Sequence, residues 1–247
     1  MTDRVALVTG AGRSVGQGIA VALAAAGYRV AVNDLDDRRA EETVELIGES
    51  GGTAVPTPFD VTDSAAVVTA VAKIAGELGP VDVVVNNAGV VVGHRVSSFL
   101  DSTPEDWQAQ IGLNLIGSMN VIHTVLPGMV ERGWGRVVQI SSGSASVGMA
   151  VGSSAYAGSK AGIEAVLRHI ATEVGKTGVT ANSLALGLMD NVGPDLPSMK
   201  PLIARIPAGR LGRPSDVGGA VVWLCSEPGS WVTGQTIHLN GGSVNGR

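Results

Sequence analysis

Short, almost uninterrupted apolar runs alternate with longer segments of helical period from the first residues onward, and this alternation limits the possible folds more than any other feature. Residues 5–9, 29–34, 53–59, 81–86, 136–141, 180–185 and 236–239 read as strands. Residues 16–26, 38–49, 64–78, 104–131, 156–176 and 215–226 read as helices. Strands rich in Val, Ile, Leu and Ala without polar alternation are those covered on both faces. Strand–helix alternation joins such strands in parallel, and right-handed crossovers put helices on both faces. The expected fold is a single-domain, doubly wound α/β sheet of about seven parallel strands over residues 1–247. No repeat, charge block or low-complexity linker divides the chain. Residues 187–214 break the alternation and carry several prolines, which suits either a short substrate lid or an ordinary surface loop.

The chain has 247 residues, 45% of them hydrophobic, enough to bury a core of that size. A net charge of −5 and only 3% aromatic residues argue against a nucleic-acid partner, which calls for a basic footprint and stacking platforms. Cys225 is the single cysteine and follows Val221-Val222-Trp223-Leu224, so it reads as a small buried hydrophobe rather than a reactive thiol. No continuous apolar run approaches the ~20 residues that span a bilayer, and the start of the chain enters a strand directly. The expectation is a soluble, cytoplasmic protein with no membrane partner.

Thr9-Gly10-Ala11-Gly12-Arg13-Ser14-Val15-Gly16-Gln17-Gly18 lies between the first strand and the first helix. Glycines let the backbone turn sharply and approach a ligand, and a helix N-terminus presents free N–H groups and positive potential. Together they suit a pyrophosphate. Asp34 closes the second strand, where a carboxylate can accept from an adenosine ribose diol and repel a 2′-phosphate. Because Asp36 and Asp37 follow at once, a solvated turn is the plainer alternative. Gly12-Arg13-Ser14-Val15-Gly16 also matches the G-x-S-x-G nucleophile elbow, with His169 or His238 as candidate base. A serine hydrolase, however, needs more sheet and an oxyanion loop before Ser14 than one strand supplies. Tyr156 and Lys160 are four residues apart on one helix face, and a nearby ammonium lowers a tyrosine pKa toward working pH. Read alone, such a pair is a set of surface neighbours.

In combination these motifs are specific. The glycine turn, Asp60-Val61, Asn86-Asn87-Ala88-Gly89, Asn114, Ser141-Ser142, Tyr156-to-Lys160, Val232-Thr233-Gly234-Gln235 and Asn240-Gly241-Gly242 occur in the order and approximate spacing of short-chain dehydrogenase/reductases, which the whole chain resembles. The resemblance implies a Rossmann-type fold and an enzyme that interconverts an alcohol and a carbonyl with a nicotinamide cofactor. It implies that Tyr156 exchanges the proton, Lys160 holds the nicotinamide ribose and lowers the tyrosine pKa, Ser142 hydrogen-bonds the substrate oxygen, and Asn114 anchors a water linking Lys160 to solvent. It implies cofactor contacts from Gly10, Arg13, Ser14, Val15 and Gly16 at the phosphates and ribose, Asp34 at the adenosine ribose, and Asp60 and Val61 at the adenine. Asn87, Ala88 and Gly89 would support the ribose and sheet, with Gly187 and Met189 completing the cofactor contacts. No metal is implied.

Several positions depart from the family pattern. Ser14 occupies the middle glycine of the turn, Leu186-Gly187 replaces Pro-Gly, Asn191 replaces a threonine, and Ser142 to Tyr156 is one residue longer, near 149–151. The stretch 205–214 resembles 3-oxoacyl carrier-protein reductases, which prefer the phosphorylated cofactor and dock a carrier on basic residues. Here Asp34 opposes that cofactor, and Glu131 and Glu173 beside Arg132 and Arg168 give a mixed-sign surface. The reading is an NAD(H)-dependent oxidoreductase of a secondary alcohol and ketone, with NAD(H) preferred over NADP(H). The alternative is an NADPH-dependent 3-oxoacyl thioester reductase. A cofactor-sensing regulator without catalysis would be marked by loss of Tyr156, Lys160 or Ser142, and all three are present. Apolar and small residues on more than one helix face, including Ala161, Ile163, Ala165 and Val166, together with the resemblance, imply a homotetramer.

Overall fold

The computed structural model describes residues 3–91, 93, 97–148, 152–190 and 200–244. Its elements follow in the order β1 (Val5–Val8), α1 (Ser14–Ala25), β2 (Arg29–Val32), α2 (Asp37–Glu49), β3 (Thr53–Pro56), α3 (Ser64–Glu77), β4 (Val81–Asn86), α4 (Pro104–Ile111), α5 (Ser118–Glu131), β5 (Gly135–Ser142), α6 (Ser154–Val174), β6 (Val179–Leu186), α7 (Lys200–Ile203), α8 (Pro214–Cys225) and β7 (Thr236–Leu239). The strands form one seven-stranded sheet in the order β3-β2-β1-β4-β5-β6-β7, with every pairing parallel.

Pleating divides each strand between two cores. Ala6, Val8, Val83 and Val85 face α1, α2 and α8, meeting Ile19, Leu23, Ile47, Val221 and Leu224. Val5, Leu7, Val84 and Val137 face α3, α5 and α6, meeting Ile74, Ile122, Met129, Ile163 and Leu167. Both faces are therefore covered, which is why the strands read as continuous apolar runs. Several helices start where short side chains satisfy their free N–H groups. Asp36 accepts from Arg39 N, Asp63 from Ala65 N and Ala66 N, and Thr103 forms a capping box with Asp106 around Pro104.

The chain builds outward from β1 to β3, then returns to place β4 on the other side of β1. The loops leaving β1 and β4 turn to opposite faces, opening a crevice at their C-terminal ends. A clasp fixes its floor. Asn87 N and Ala88 N donate to Thr9 Oγ1 at 3.0 and 3.1 Å, and Asn87 Nδ2 donates to the Thr9 and Gly10 carbonyls, each at 2.9 Å.

Several features differ from the expected pattern. The second strand ends at Val32, so Asp34 lies beyond it rather than closing it, where Asn33 and Asp34 accept from Gly10 N and Gly12 N of the glycine turn. The third strand ends at Pro56 rather than 59, because Pro56 and Pro58 cannot donate to a ladder. The helix expected over 104–131 contains a π-helical segment, Gly112–Gly117, joining α4 to α5. As a whole, Pro104–Glu131 is long and apolar enough by composition to cross a membrane, which a search for continuous apolar runs does not register. In this fold Val121, Ile122, Val125 and Met129 on its apolar side belong to the core beneath β4 and β5. Within the stretch after β6, the described residues include α7 (Lys200–Ile203). The base of that stretch closes through a bridge between Met189 and Gly212, with Asp190 N donating to Gly212 O at 2.9 Å and Gly212 N to Leu188 O at 3.0 Å. Asn191 and 149–151 lie outside the described residues.

Candidate active site

Tyr156 and Lys160 sit in the first two turns of α6, which lies along β5 and β6. Lys160 is fully enclosed, and its Nζ donates to the Ile140 carbonyl of β5 at 2.8 Å. Burial pushes its pKa down to about 8, against the opposing pull of the Glu164 carboxylate. Ser142, at the end of β5, lies close enough to the Tyr156 hydroxyl to favour its ionised form. Its Oγ accepts from Ser144 N at 3.2 Å and Ser144 Oγ at 2.9 Å.

Burial raises the Tyr156 pKa, and the neighbouring Ser142 hydroxyl pulls it partway back. Lys160 stands close by. Its Nζ is bonded to the strand and lies 5.6 Å from the centroid of the tyrosine ring.

Asn114 comes from the π segment, which widens the helix one turn before α5. π-Helical turns of this kind recur at functional sites because they re-aim a side chain. Asn114 Nδ2 donates to the Gln110 carbonyl at 3.2 Å and to Gln110 Oε1 at 3.1 Å, while Asn114 Oδ1 is buried without a partner. That oxygen and Lys160 Nζ both border Gly89. A β-carbon there would lie 2.8 Å from the first and 3.0 Å from the second, so glycine keeps the space between them open.

Two hollows meet at Tyr156. The larger, about 700 Å³, runs from the glycine turn to the tyrosine and lysine. Gly10, Arg13, Ser14, Val15, Gly16, Asp34, Asp60, Val61, Asn87, Ala88, Gly89, Ser142, Tyr156, Lys160, Gly187 and Met189 all line it. Asn114 lies behind it, and the fold brings every expected site residue to this one region. The smaller hollow, about 300 Å³, shares Gly89 and Tyr156 and is otherwise bounded by Ser97, Asp106, Trp107, Gln110, Ser153, Ser154 and neighbours. No group of metal-ligating side chains forms among the described residues.

The residues fit a dinucleotide on their own chemistry. Asp34 is oriented by Gly12 N, which donates to Oδ2, and Asp36 N, which donates to Oδ1, both at 3.1 Å. A β-carbon on Gly12 would lie 2.7 Å from Asp34 Oδ2, so this approach requires glycine. Ser14 has φ +52°, the only positive value at a non-glycine among the described residues, and its buried Oγ has no partner. The helix start behind it, at Arg13, has no side-chain cap, leaving backbone N–H groups for an anion. An unpartnered Oγ is also an unactivated one. Neither His169 nor His238 lines the cleft with Ser14, so the elbow motif assembles no hydrolase triad.

Three contributors escaped the sequence reading. Asn33 ties the turn to the sheet, its Nδ2 donating to the Thr57 and Phe59 carbonyls. Arg39 enters the cofactor cleft from α2 and pairs with Asp36 at 3.3 Å. Gln110 precedes Asn114 by four residues, a helical spacing that could have revealed it.

Comparison with known proteins agrees with this geometry. The family model described as enoyl-(acyl carrier protein) reductase matches residues 10–244. The chain belongs to the short-chain dehydrogenase/reductase family. It is 40% identical over 246 residues to an acetoacetyl-CoA reductase of Rhizobium meliloti, covering 97% of this chain and 98% of the relative. It is 34% identical over 241 residues to a 3-oxoacyl-(acyl-carrier-protein) reductase of Staphylococcus aureus, covering 96% of each. Among solved structures, a gluconate 5-dehydrogenase from Burkholderia cenocepacia, in complex with NADP and tartrate, aligns with a TM-score of 0.90 at 30% identity, covering 98% of this chain and 96% of that one. Within this family the departure at Ser14 has a backbone meaning, since a left-handed φ is the reason a glycine suits that position. Leu186, in place of the usual proline, continues β6, and Gly187 N donates to Leu239 O at 3.2 Å.

Proposed function

We propose that this oxidoreductase interconverts a secondary alcohol and a ketone, that the ketone is the 3-oxo group of an acyl thioester, and that NAD(H) is preferred over NADP(H). The observation that carries the reaction type is the meeting of Ser142, Tyr156 and Lys160 where the two hollows join. The nicotinamide, when bound in the larger hollow, supplies or accepts the hydride. Tyr156 holds the proton passed to and from the substrate oxygen. Ser142 donates to that same oxygen and stabilises its developing charge. Lys160 binds the nicotinamide ribose hydroxyls, and Asn114 Oδ1 holds the water through which the lysine exchanges protons with solvent. The bridge between Met189 and Gly212 holds the two described ends of 187–214 together beside the larger hollow, which supports reading that stretch as a short substrate lid.

The thioester part of the reading is supported by the acetoacetyl-CoA and 3-oxoacyl reductases among the relatives. The cofactor part is supported by Asp34, whose carboxylate, oriented by Gly12 N and Asp36 N, would accept from a ribose 2′-hydroxyl and oppose a 2′-phosphate. Hydroxyl and amide groups around the smaller hollow, with the gluconate 5-dehydrogenase relative, favour a polyhydroxy acid as the second reading. Exposed apolar side chains at Ile111, Ile116 and Met119, and Trp231 at 96% exposure, favour self-association, which we read as a homotetramer.

Reduction of acetoacetyl thioesters, followed by NADH and NADPH absorbance beside gluconate and simple ketones, tests the substrate. Tyr156→Phe should lower turnover at least about a hundredfold while cofactor affinity stays near wild type. Turnover near wild type with chemistry rate-limiting removes the tyrosine from the mechanism. Oxidation of gluconate without thioester reduction moves the second reading ahead.

A further inference from the structure

The polar line behind the two hollows continues beyond Asn114. Among the described residues α4 buries a single side chain, and it is an amide: Gln110, at 5% exposure. A buried amide costs free energy unless its hydrogen-bonding groups are matched. Gln110 stands in the wall of the smaller hollow with Trp107 and Tyr156, one helical turn before Asn114.

Asn114 is fully enclosed, and its Nδ2 carries two protons. Gln110 supplies an acceptor for each, its main-chain carbonyl at 3.2 Å and its Oε1 at 3.1 Å. Asn114 Oδ1 is thereby left on the opposite side of the amide, buried and unpartnered, bordering Gly89 together with Lys160 Nζ. In the reversed amide Oδ1 would meet the Gln110 main-chain carbonyl, which cannot become a donor, and Nδ2 would take the place beside an ammonium. The carbonyl engages one Nδ2 proton. The side chain engages the second, and the amide plane is then fixed at two points.

We propose that Gln110 is a positioning residue, which fixes the Asn114 amide with Oδ1 toward Lys160. This rests on the reading of Asn114 as the holder of the water beside Lys160, and it names what aims that oxygen. The simpler role, a polar piece of substrate wall, would act on substrate binding and not through Asn114.

Hydrogen exchange of the Asn114 side-chain amide, in the full chain labelled with ¹⁵N at asparagine, reads the arrangement without turnover. Its resonance is the one lost in Asn114→Ala. Both Nδ2 protons should exchange slowly in the wild type, and one exchanging as fast as a surface amide overturns the proposal whatever the variants do. Gln110→Met keeps the length and removes the acceptor, so one proton should lose its protection. Gln110→Glu keeps an acceptor and should restore it. In reduction of acetoacetyl-CoA with the cofactor the wild type prefers, Gln110→Met should lower kcat about fivefold or more with KM within about twofold, and Gln110→Glu should recover most of the loss. In an Asn114→Ala background Gln110→Met should cost nothing further. A KM effect with kcat unchanged, or a cost that persists without Asn114, overturns the proposal and leaves Gln110 as substrate wall. Asn114→Ala with wild-type kcat removes the reading of Asn114 on which this rests, whereas a kcat lowered by Asn114→Ala and untouched by Gln110→Met removes this inference alone. A wild type that leaves acetoacetyl-CoA unreduced counts against the proposed substrate, and the exchange measurement then decides.

Discussion

Replacing Asp34 with serine should change which cofactor the enzyme uses, and the structure sets the scale. Both carboxylate oxygens already accept one backbone N–H, at 3.1 Å each, so the group is fixed in direction before a ligand arrives. A charged hydrogen bond from a ribose 2′-hydroxyl contributes about 1.5–3 kcal/mol. A 2′-phosphate at the same place forfeits that bond and adds repulsion. Two like charges ~4 Å apart repel by about 1 kcal/mol in water and about 4 kcal/mol at a surface-like dielectric. Two cations oppose this discrimination. Arg13 and Arg39 line the same end of the cleft, although Arg39 is partly neutralised by Asp36 at 3.3 Å. The balance is roughly 2–4 kcal/mol in favour of NAD(H), about thirty- to several-hundredfold. In Asp34→Ser the arginines no longer face the Asp34 charge, although Arg39 keeps its Asp36 partner, so the NAD(H)/NADP(H) ratio of kcat/KM should fall at least about tenfold. Steady-state kinetics with both cofactors on wild type and variant measures it. A wild type that prefers NADP(H), or a ratio that moves less than about threefold, refutes the reasoning and leaves Asp34 as a turn residue.

Ser14→Gly should relieve the left-handed backbone, worth about 1 kcal/mol, and raise the melting temperature. It should shift the cofactor Kd less than about tenfold, because a single neutral hydrogen bond is at stake; turnover abolished with cofactor binding intact would contradict this assignment. Alkaline stability should decline above pH 10. Burial holds the Tyr28 and Cys225 pKa values up to about 12, from 10.0 and 9.0, so both groups ionise in the unfolded chain before they do in the folded one. Lys160, depressed to about 8 from 10.5, works in the opposite sense, adding stability as pH rises from 8 to 10.5 and nothing beyond. Calorimetry from pH 8 to 12 should show the fall, flatter in Tyr28→Phe, and a curve with no decline above pH 10 would refute the assignment.

The sheet was readable because burial on both faces leaves runs such as Val83-Val84-Val85 with no polar residue to misplace. Helix starts were readable where Asp or Thr caps them and less so at α1, where the helix begins at Ser14 in place of a side-chain cap. The π segment was not readable, because it arises from packing. A β-carbon on Gly117 would lie 2.8 Å from Val61 Cγ2, a contact between segments more than fifty residues apart in sequence. The site residues were legible through the family resemblance of their motifs in combination, since spacing alone says only that Tyr156 and Lys160 share a helix face. Spacing does not say that Arg39 reaches across from α2, or that Lys160 turns its charge toward the strand rather than the phenol.

The widened turn at 112–117 also sets how this enzyme tolerates length changes. An α-helix advances about 100° per residue, so one surplus residue absorbed inside a continuous helix rotates everything before it relative to everything after. Val121, Val125 and Met129 keep their alignment with the sheet, while Gln110 and Asn114 are turned onto a bearing of their own. Removing a single residue between Gly112 and Gly117 would let an ordinary helix close over the gap, with its hydrophobic seam intact and the asparagine swung out of register with Lys160. The position of that side chain is thus encoded by a residue count, a property that alanine scanning would never detect and a one-residue deletion would.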